Sequence, residues 1–182
     1  MEIIKTPIAG LLVLSPRVFQ DERGYFLETF NAKNLQEAEI STSFVQDNES
    51  KSTRGVIRGL HYQLNPYAQA KLVRVIEGAV FDVAVDLRKG SATFAQWYGV
   101  ELSGENKKQF YIPRGFAHGF SVLSETAIFA YKCDAYYQPQ AERGILYNDP
   151  ELNIDWNLNE NEALVSGKDM ANKLFRDAEY NF

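Results

Sequence analysis

Two segments of the 182-residue chain set a histidine among glycines and aromatics. They are Arg58-Gly59-Leu60-His61-Tyr62-Gln63 and Pro113-Arg114-Gly115-Phe116-Ala117-His118-Gly119-Phe120. Free imidazole titrates near 6.5, so a histidine can take up or give a proton near neutral pH. Taken singly, each histidine reads equally well as a core residue satisfied by a backbone carbonyl. Taken together, with Arg58 three positions before His61, they favour a functional site, and Arg58 is expected to point near His61. Lys71 opens a segment of apolar neighbours, where a lone lysine is more often a solvated strand end. Tyr131, in Phe129-Ala130-Tyr131-Lys132-Cys133, shares a face with Phe129 and Cys133. Spacing alone favours a core aromatic there, with its hydroxyl on a backbone partner. Arg23, in Asp21-Glu22-Arg23-Gly24, reads on its own as a turn residue. Asp169 is expected at the third position of a helix, where a carboxylate favours the positive end of the dipole. Asp82 and Asp86 lie opposite the large apolar residues of their segment and read as solvent-facing. The set suits proton transfer beside an anion.

Composition narrows the chemistry. One cysteine, Cys133, allows no intrachain disulfide and no multi-cysteine zinc site, and two histidines limit any imidazole-based metal site to two nitrogens. With 19 basic and 24 acidic side chains the net charge is −5, which argues against nucleic-acid binding. The first apolar run, residues 8–14, is too short to cross a membrane and carries no signal-peptide cleavage pattern. The expected compartment is the cytoplasm. Hydrophobic residues at 45% and charged residues at 24% are those of an ordinary globular protein, and the length suits one domain over residues 1–182.

The elements that must position these residues read as short strands. Phe81 to Arg88 alternates strictly, with Phe81, Val83, Val85 and Leu87 on the buried face. Leu72 to Ile76 runs into Glu77-Gly78, a hairpin signal. Gln96–Leu102, Phe110–Ile112, Phe120–Leu123 and Ala127–Cys133 continue the series, with a polar turn at Ser103-Gly104-Glu105-Asn106. Such spacing predicts an all-β antiparallel sandwich or barrel. Residues 31–39 predict a short helix. Ser166-Gly167-Lys168-Asp169 predicts an N-cap for a C-terminal helix with Met170, Leu174 and Phe175 on one face.

Pro113-x-Gly115-x-x-His118 resembles the second motif of the cupins, jelly-roll barrels that often hold a metal. The H-x-H of the first cupin motif is replaced by His61-Tyr62-Gln63, and the asparagine expected four positions after His118 is Val122. The jelly-roll hint therefore stands without the metal. Arg58-Gly-Leu-His-Tyr-Gln63, Lys71-Leu-Val-Arg-Val75, Phe81-Asp-Val-Ala-Val-Asp86 and Ile112-Pro-Arg-Gly-Phe-Ala-His-Gly-Phe120 together resemble the dTDP-4-dehydrorhamnose 3,5-epimerases. The likeness extends from Phe19 to Asp169 through Phe44–Asn48, Tyr136-Tyr137, Glu142–Gly144 and Asn148–Pro150.

That resemblance implies a cupin-type antiparallel jelly roll with short helices at its edges, working as a homodimer without metal or other cofactor. The implied substrate is dTDP-4-dehydro-6-deoxy-D-glucose, inverted at C3 and C5 in dTDP-L-rhamnose biosynthesis. His61 is implied as the base, Asp169 as its partner, Lys71 as the enolate donor and Tyr131 as the acid. Arg23, Glu28, Gln46, Asp47, Asn48, Arg58, His118, Glu142 and Lys168 match positions lining the sugar-nucleotide site, and Tyr137 matches a stacking position for the thymine. A mono-epimerase or ketoisomerase on a related 4-keto nucleotide uses the same base and donor. A metal-dependent cupin enzyme and a non-catalytic sugar-nucleotide-binding module are the readings from other classes.

Overall fold

Strand alternation puts Val73, Val75, Phe110 and Phe129 opposite Val80, Ala84, Phe120 and Val122, and these eight belong to one buried cluster. They come from two sheets of a computed structural model that describes residues 1–40, 43–159 and 161–182. The strands are β1 (Glu2–Lys5), β2 (Leu12–Ser15), β3 (Val18–Asp21), β4 (Gly24–Leu27), β5 (Gln46–Thr53), β6 (Val56–Gln63) and β7 (Lys71–Glu77). They continue as β8 (Ala79–Asp86), β9 (Trp97–Ser103), β10 (Gln109–Ile112), β11 (Phe116–Val122), β12 (Thr126–Cys133), β13 (Glu142–Gly144) and β14 (Leu164–Val165). One sheet has the order β1-β2-β10-β7-β12-β5. The other runs β13-β6-β11-β8-β9, with β14 beside β6, and β3 and β4 form a separate hairpin. Packed face to face, the two mainly antiparallel sheets make the expected jelly roll.

Three expectations change. Glu77-Gly78 makes no hairpin, because β7 pairs with β10 and β12 while β8 pairs with β9 and β11. Gly78 instead carries the chain from one sheet to the other at φ +79°, with the backbone of Thr126 against it. Strand β8 is buried on both faces, so Asp82 and Asp86 are enclosed at 0% exposure. Asp82 lies on the inner face with Val80 and Ala84, while Ile145, Leu152, Trp156 and Phe175 pack against Val83, Val85 and Leu87 on the outer face of that sheet. The predicted C-terminal helix is a single turn, α2 (Gly167–Met170), capped by Ser166. The chain leaves it because Lys173 accepts a hydrogen bond from the Leu146 amide and the Phe175 amide donates to Asp149. Met170 is exposed, and Phe175 is buried from a separate 3₁₀ turn.

The helix predicted at 31–39 forms as α1 (Ala32–Glu37), capped by the Asn31 side chain. Its Leu35 packs with Leu14, Leu72 and Tyr111 on the outside of the first sheet. Among the described residues, no helix is long and apolar enough to cross a membrane.

Candidate active site

In a regular strand, residues three apart point to opposite faces. Strand β6 departs from that rule where it matters. Against β11, His61 pairs with His118 and Arg58 with Phe120, so three steps on β6 match two on its neighbour. This bulge returns Arg58 and His61 to one side, and both line a cleft of about 750 Å³. Gly59 makes it possible: its φ is +136°, and a Cβ there would collide with Gly119 and the His118 carbonyl.

Strand β7 brings Lys71 to the cleft, β11 brings His118, β12 brings Tyr131, and α2 brings Lys168 and Asp169. His61 Nε2 lies 2.6 Å from Asp169 Oδ1. Asp169 is buried; its second oxygen accepts the Gly59 amide at 3.4 Å, and its own amide donates to Ser166 Oγ at 3.1 Å. Burial acts to raise the Asp169 carboxyl, but the bonds from His61 and Gly59 hold it below the ordinary range. Asp169 is thus both the residue that the Ser166 cap holds and the partner of His61.

Across the cleft, the Lys71 ammonium sits 5.7 Å from the centre of the Tyr131 ring. Burial lowers Lys71, opposed by Cys133, Asp82 and Glu142. Burial raises the Tyr131 hydroxyl, so it stays a protonated phenol at neutral pH. Tyr131 packs at 5.9 Å from Phe129 on the shared face that alternation predicts. Arg58 Nε donates to Ser52 Oγ at 3.0 Å. Behind the cleft, His118 Nε2 meets Asp82 Oδ1 at 2.9 Å and Oδ2 at 3.1 Å.

A smaller hollow of about 220 Å³ shares Asn48, His61, Lys71 and Tyr131 with the cleft and extends it to Gln46, Tyr137 and Glu142. Glu142 Oε2 accepts from Lys168 Nζ at 2.7 Å and from the Tyr137 hydroxyl at 2.8 Å. The Tyr137 amide donates to Gln46 Oε1 at 3.0 Å, and Gln46 donates to Asn48 Oδ1 at 3.1 Å. Among the described residues, no three His, Cys, Asp or Glu side chains gather as a metal-ligand cluster. A base with its carboxylate partner, a cation and a phenol thus share one groove whose rim carries further cations.

The family model of dTDP-4-dehydrorhamnose 3,5-epimerase matches residues 5–177. The chain belongs to this family. It is therefore an isomerase-class enzyme. It is 56% identical over 181 residues to the dTDP-4-dehydrorhamnose 3,5-epimerase of Shigella flexneri, covering 99% of each chain. A solved dTDP-6-deoxy-D-glucose-3,5-epimerase from Legionella pneumophila, in complex with dTDP-4-keto-L-rhamnose, superposes with a TM-score of 0.93. Identity is 56%, over 97% of this chain and 93% of that one. A more distant neighbour, a 3′-monoepimerase from Streptomyces bikiniensis in complex with dTDP-quinovose, has a TM-score of 0.87 and 32% identity, over 93% of this chain and 85% of that one.

In this family member the cleft and its extension gather His61, Asp169, Lys71, Tyr131, Arg58, His118, Asn48, Gln46, Tyr137, Glu142 and Lys168. Three other expected residues lie elsewhere within the chain. Asp47 points to the opposite face of β5 and pairs with Lys132 at 2.9 Å. Arg23 sits on the β3–β4 hairpin, bound to Asp21 at 2.6 Å and lining a separate surface hollow. Glu28 accepts from Asn34 Nδ2 at 2.9 Å. Ser52, which orients Arg58, is not among the expected residues, and Asp82, expected in solvent, is buried behind the cleft. A carboxylate flanked by Val80, Phe81, Val83 and Ala84 was the available signal for Asp82.

Proposed function

We propose that the cleft inverts C3 and C5 of dTDP-4-dehydro-6-deoxy-D-glucose to give dTDP-4-dehydro-L-rhamnose, without a cofactor. His61 takes the proton from the carbon beside the C4 ketone while Asp169 stabilises the imidazolium that forms. The C–H electron pair moves into the ring and the carbonyl pair onto the C4 oxygen, where the Lys71 ammonium meets the enolate charge. Tyr131 delivers a proton to the opposite face and the ketone re-forms with inverted stereochemistry; His61 then gives its proton to solvent and the Tyr131 phenolate takes one from solvent before the cycle repeats at the second carbon. The oxidation state of the sugar is unchanged throughout, so the steps call for no hydride carrier.

The observation that carries this reading is the 2.6 Å His61–Asp169 pair opening on the same cleft as Lys71 and Tyr131. Arg58, Lys168 and His118 hold the sugar nucleotide, arginine being suited to the pyrophosphate by its planar fork. Tyr137 stacks on the thymine, with Gln46, Asn48 and Glu142 around it. Incubation with the 4-keto sugar nucleotide in D₂O should place deuterium at both C3 and C5. No label at either carbon overturns the reading, and label at one carbon alone marks a mono-epimerase.

The working unit in this reading is a homodimer. Arg23 and Glu28 lie outside the cleft of their own chain, on and just after a hairpin whose Phe19, Tyr25 and Phe26 are exposed, Phe26 at 69%. A second copy receiving that hairpin would cover these rings and gain Arg23 beside its bound anion.

A further inference from the structure

Strand β8 carries a carboxylate that the steps above leave unused. Asp82 shares its face with Val80 and Ala84, both in the cluster between the sheets, and is 0% exposed. On the adjacent β11, His118 lies on the face of Phe116, Phe120 and Val122 and is 6% exposed. The register pairs Asp82 with Phe120 and His118 with Ala84, so the two polar side chains are diagonal neighbours inside the barrel. There His118 Nε2 reaches both carboxylate oxygens, at 2.9 and 3.1 Å. An ionised carboxylate so deep, with one ring nitrogen on it, needs a further positive charge nearby.

The charged and titratable groups around this pair come from several strands. Lys71 from β7 acts on both Asp82 and His118, and His61 from β6 acts on His118. Cys133 from β12 and Glu142 from β13 act in turn on Lys71, as does Asp82. Burial lowers His118, with Lys71 and His61 acting the same way against Asp82, so the imidazole is neutral near pH 7. Burial pushes Asp82 up, opposed by His118 and Lys71.

We propose that Asp82 is a positioning residue of this epimerase. Its carboxylate fixes His118 as the Nε2-protonated tautomer, leaving Nδ1 as an acceptor for a substrate hydroxyl, and it is the buried counter-ion of the Lys71 ammonium. The counter-ion half rests on the role proposed above for Lys71; the tautomer half stands independently of turnover. The opposite arrangement has a protonated Asp82 donating to Nε2, with the ring proton on Nδ1, which turns the acceptor into a donor.

Two-bond ¹H–¹⁵N correlations on ¹⁵N-histidine-labelled protein distinguish the tautomers. With only two histidines in the chain, one His61→Gln spectrum assigns them. The expected result at pH 7 is Nε2–H on His118 with an unprotonated Nδ1; the Nδ1–H tautomer overturns the proposal. For the counter-ion role, Asp82→Asn is assayed for turnover across pH beside wild type. Loss of the anion lets Lys71 give up its proton more easily. The alkaline limb of the kcat profile should therefore move about one unit to lower pH. A rate loss with the alkaline limb unmoved is what a merely structural role gives, and overturns it. Should the variant fail to fold, the carboxyl carbon shift of ¹³C-labelled Asp82 in the wild type reads its charge directly: ionised at pH 7 supports the proposal and protonated overturns it. Wild type without deuterium exchange in the same experiment refutes the epimerase reading and leaves the tautomer result standing.

Discussion

Replacing Asp169 by asparagine removes one negative charge at nearly constant side-chain shape, beside the imidazole ring that must become cationic during proton abstraction. The His61–Asp169 contact is 2.6 Å, with the aspartate side chain 6% and the histidine 32% exposed. Taking roughly 4 Å between charge centres and an effective dielectric of 20, the imidazolium loses about 4 kcal/mol of attraction. The exposed edge of the ring recovers part of this through solvent, leaving about 3 kcal/mol, or about 10²-fold in kcat. KM should change little, because Asp169 touches His61 rather than the substrate. Deuterium wash-in at C3 and C5, scored with turnover and a thermal melt, separates a chemical defect from a folding one. The two residues act as a unit, so Asp169→Asn should add little to His61→Ala. A folded Asp169→Asn enzyme with kcat within about threefold of wild type would refute the dyad.

Three further outcomes follow from the same structure. Mixing Arg23→Ala and His61→Ala chains, each inactive alone, should restore about a quarter of wild-type activity, since half the dimers are mixed and one of their two sites is intact; no recovery after subunit exchange counts against a shared site. Ser166→Ala removes the cap that holds a one-turn helix, worth about 1 kcal/mol, and should lower kcat about fivefold by loosening Asp169; an unchanged kcat would show that Asp169 is held without the cap. Burial acts to raise Asp86, but bonds from Arg88, Ser91 and Thr93 outweigh it and hold the carboxyl at about 2, below the ordinary 3.8. The folded state is therefore favoured above pH 4, and that contribution, about 2 kcal/mol, is lost as pH falls through 2. Urea unfolding of Asp86→Asn should show lower stability at pH 5 and a shallower acid dependence than wild type, and parallel acid curves would contradict the assignment.

The site residues were legible mainly through the likeness of whole motifs to a known family, while local cues fixed only where each residue sits in its element. Lys71 opens a strand, Tyr131 alternates with Phe129, and Ser166 stands three before Asp169 in a capping pattern. The pairing of Arg58 with His61 was expected from their nearness in sequence, yet three residues along a regular strand separates faces. The bulge at Gly59 is what brings them together, and a bulge is set by register against β11. Asp47 sits between two groove residues, Gln46 Oε1 and Asn48, and is turned away by the period of the strand. For Arg23 and Glu28, the fold of one chain shows only where they are not.

By itself the sequence determined what depends on near neighbours: the period-two strands, the caps at Asn31 and Ser166, the lack of an H-x-H pair, and the residue types for proton transfer beside an anion. Tertiary structure alone decided what depends on distant ones. Gly78 looked like a hairpin turn because turn chemistry is local, whereas partner strands are chosen by which faces can be buried together. Asp82 and Asp86 looked solvated because β8 alternates cleanly; segments 60 to 90 residues downstream cover its outer face, and the opposing sheet covers the inner one. Whether a carboxylate is a surface charge or a buried counter-ion is a property of that enclosure, since the cost of a charge depends on the medium around it and not on its neighbours in the chain.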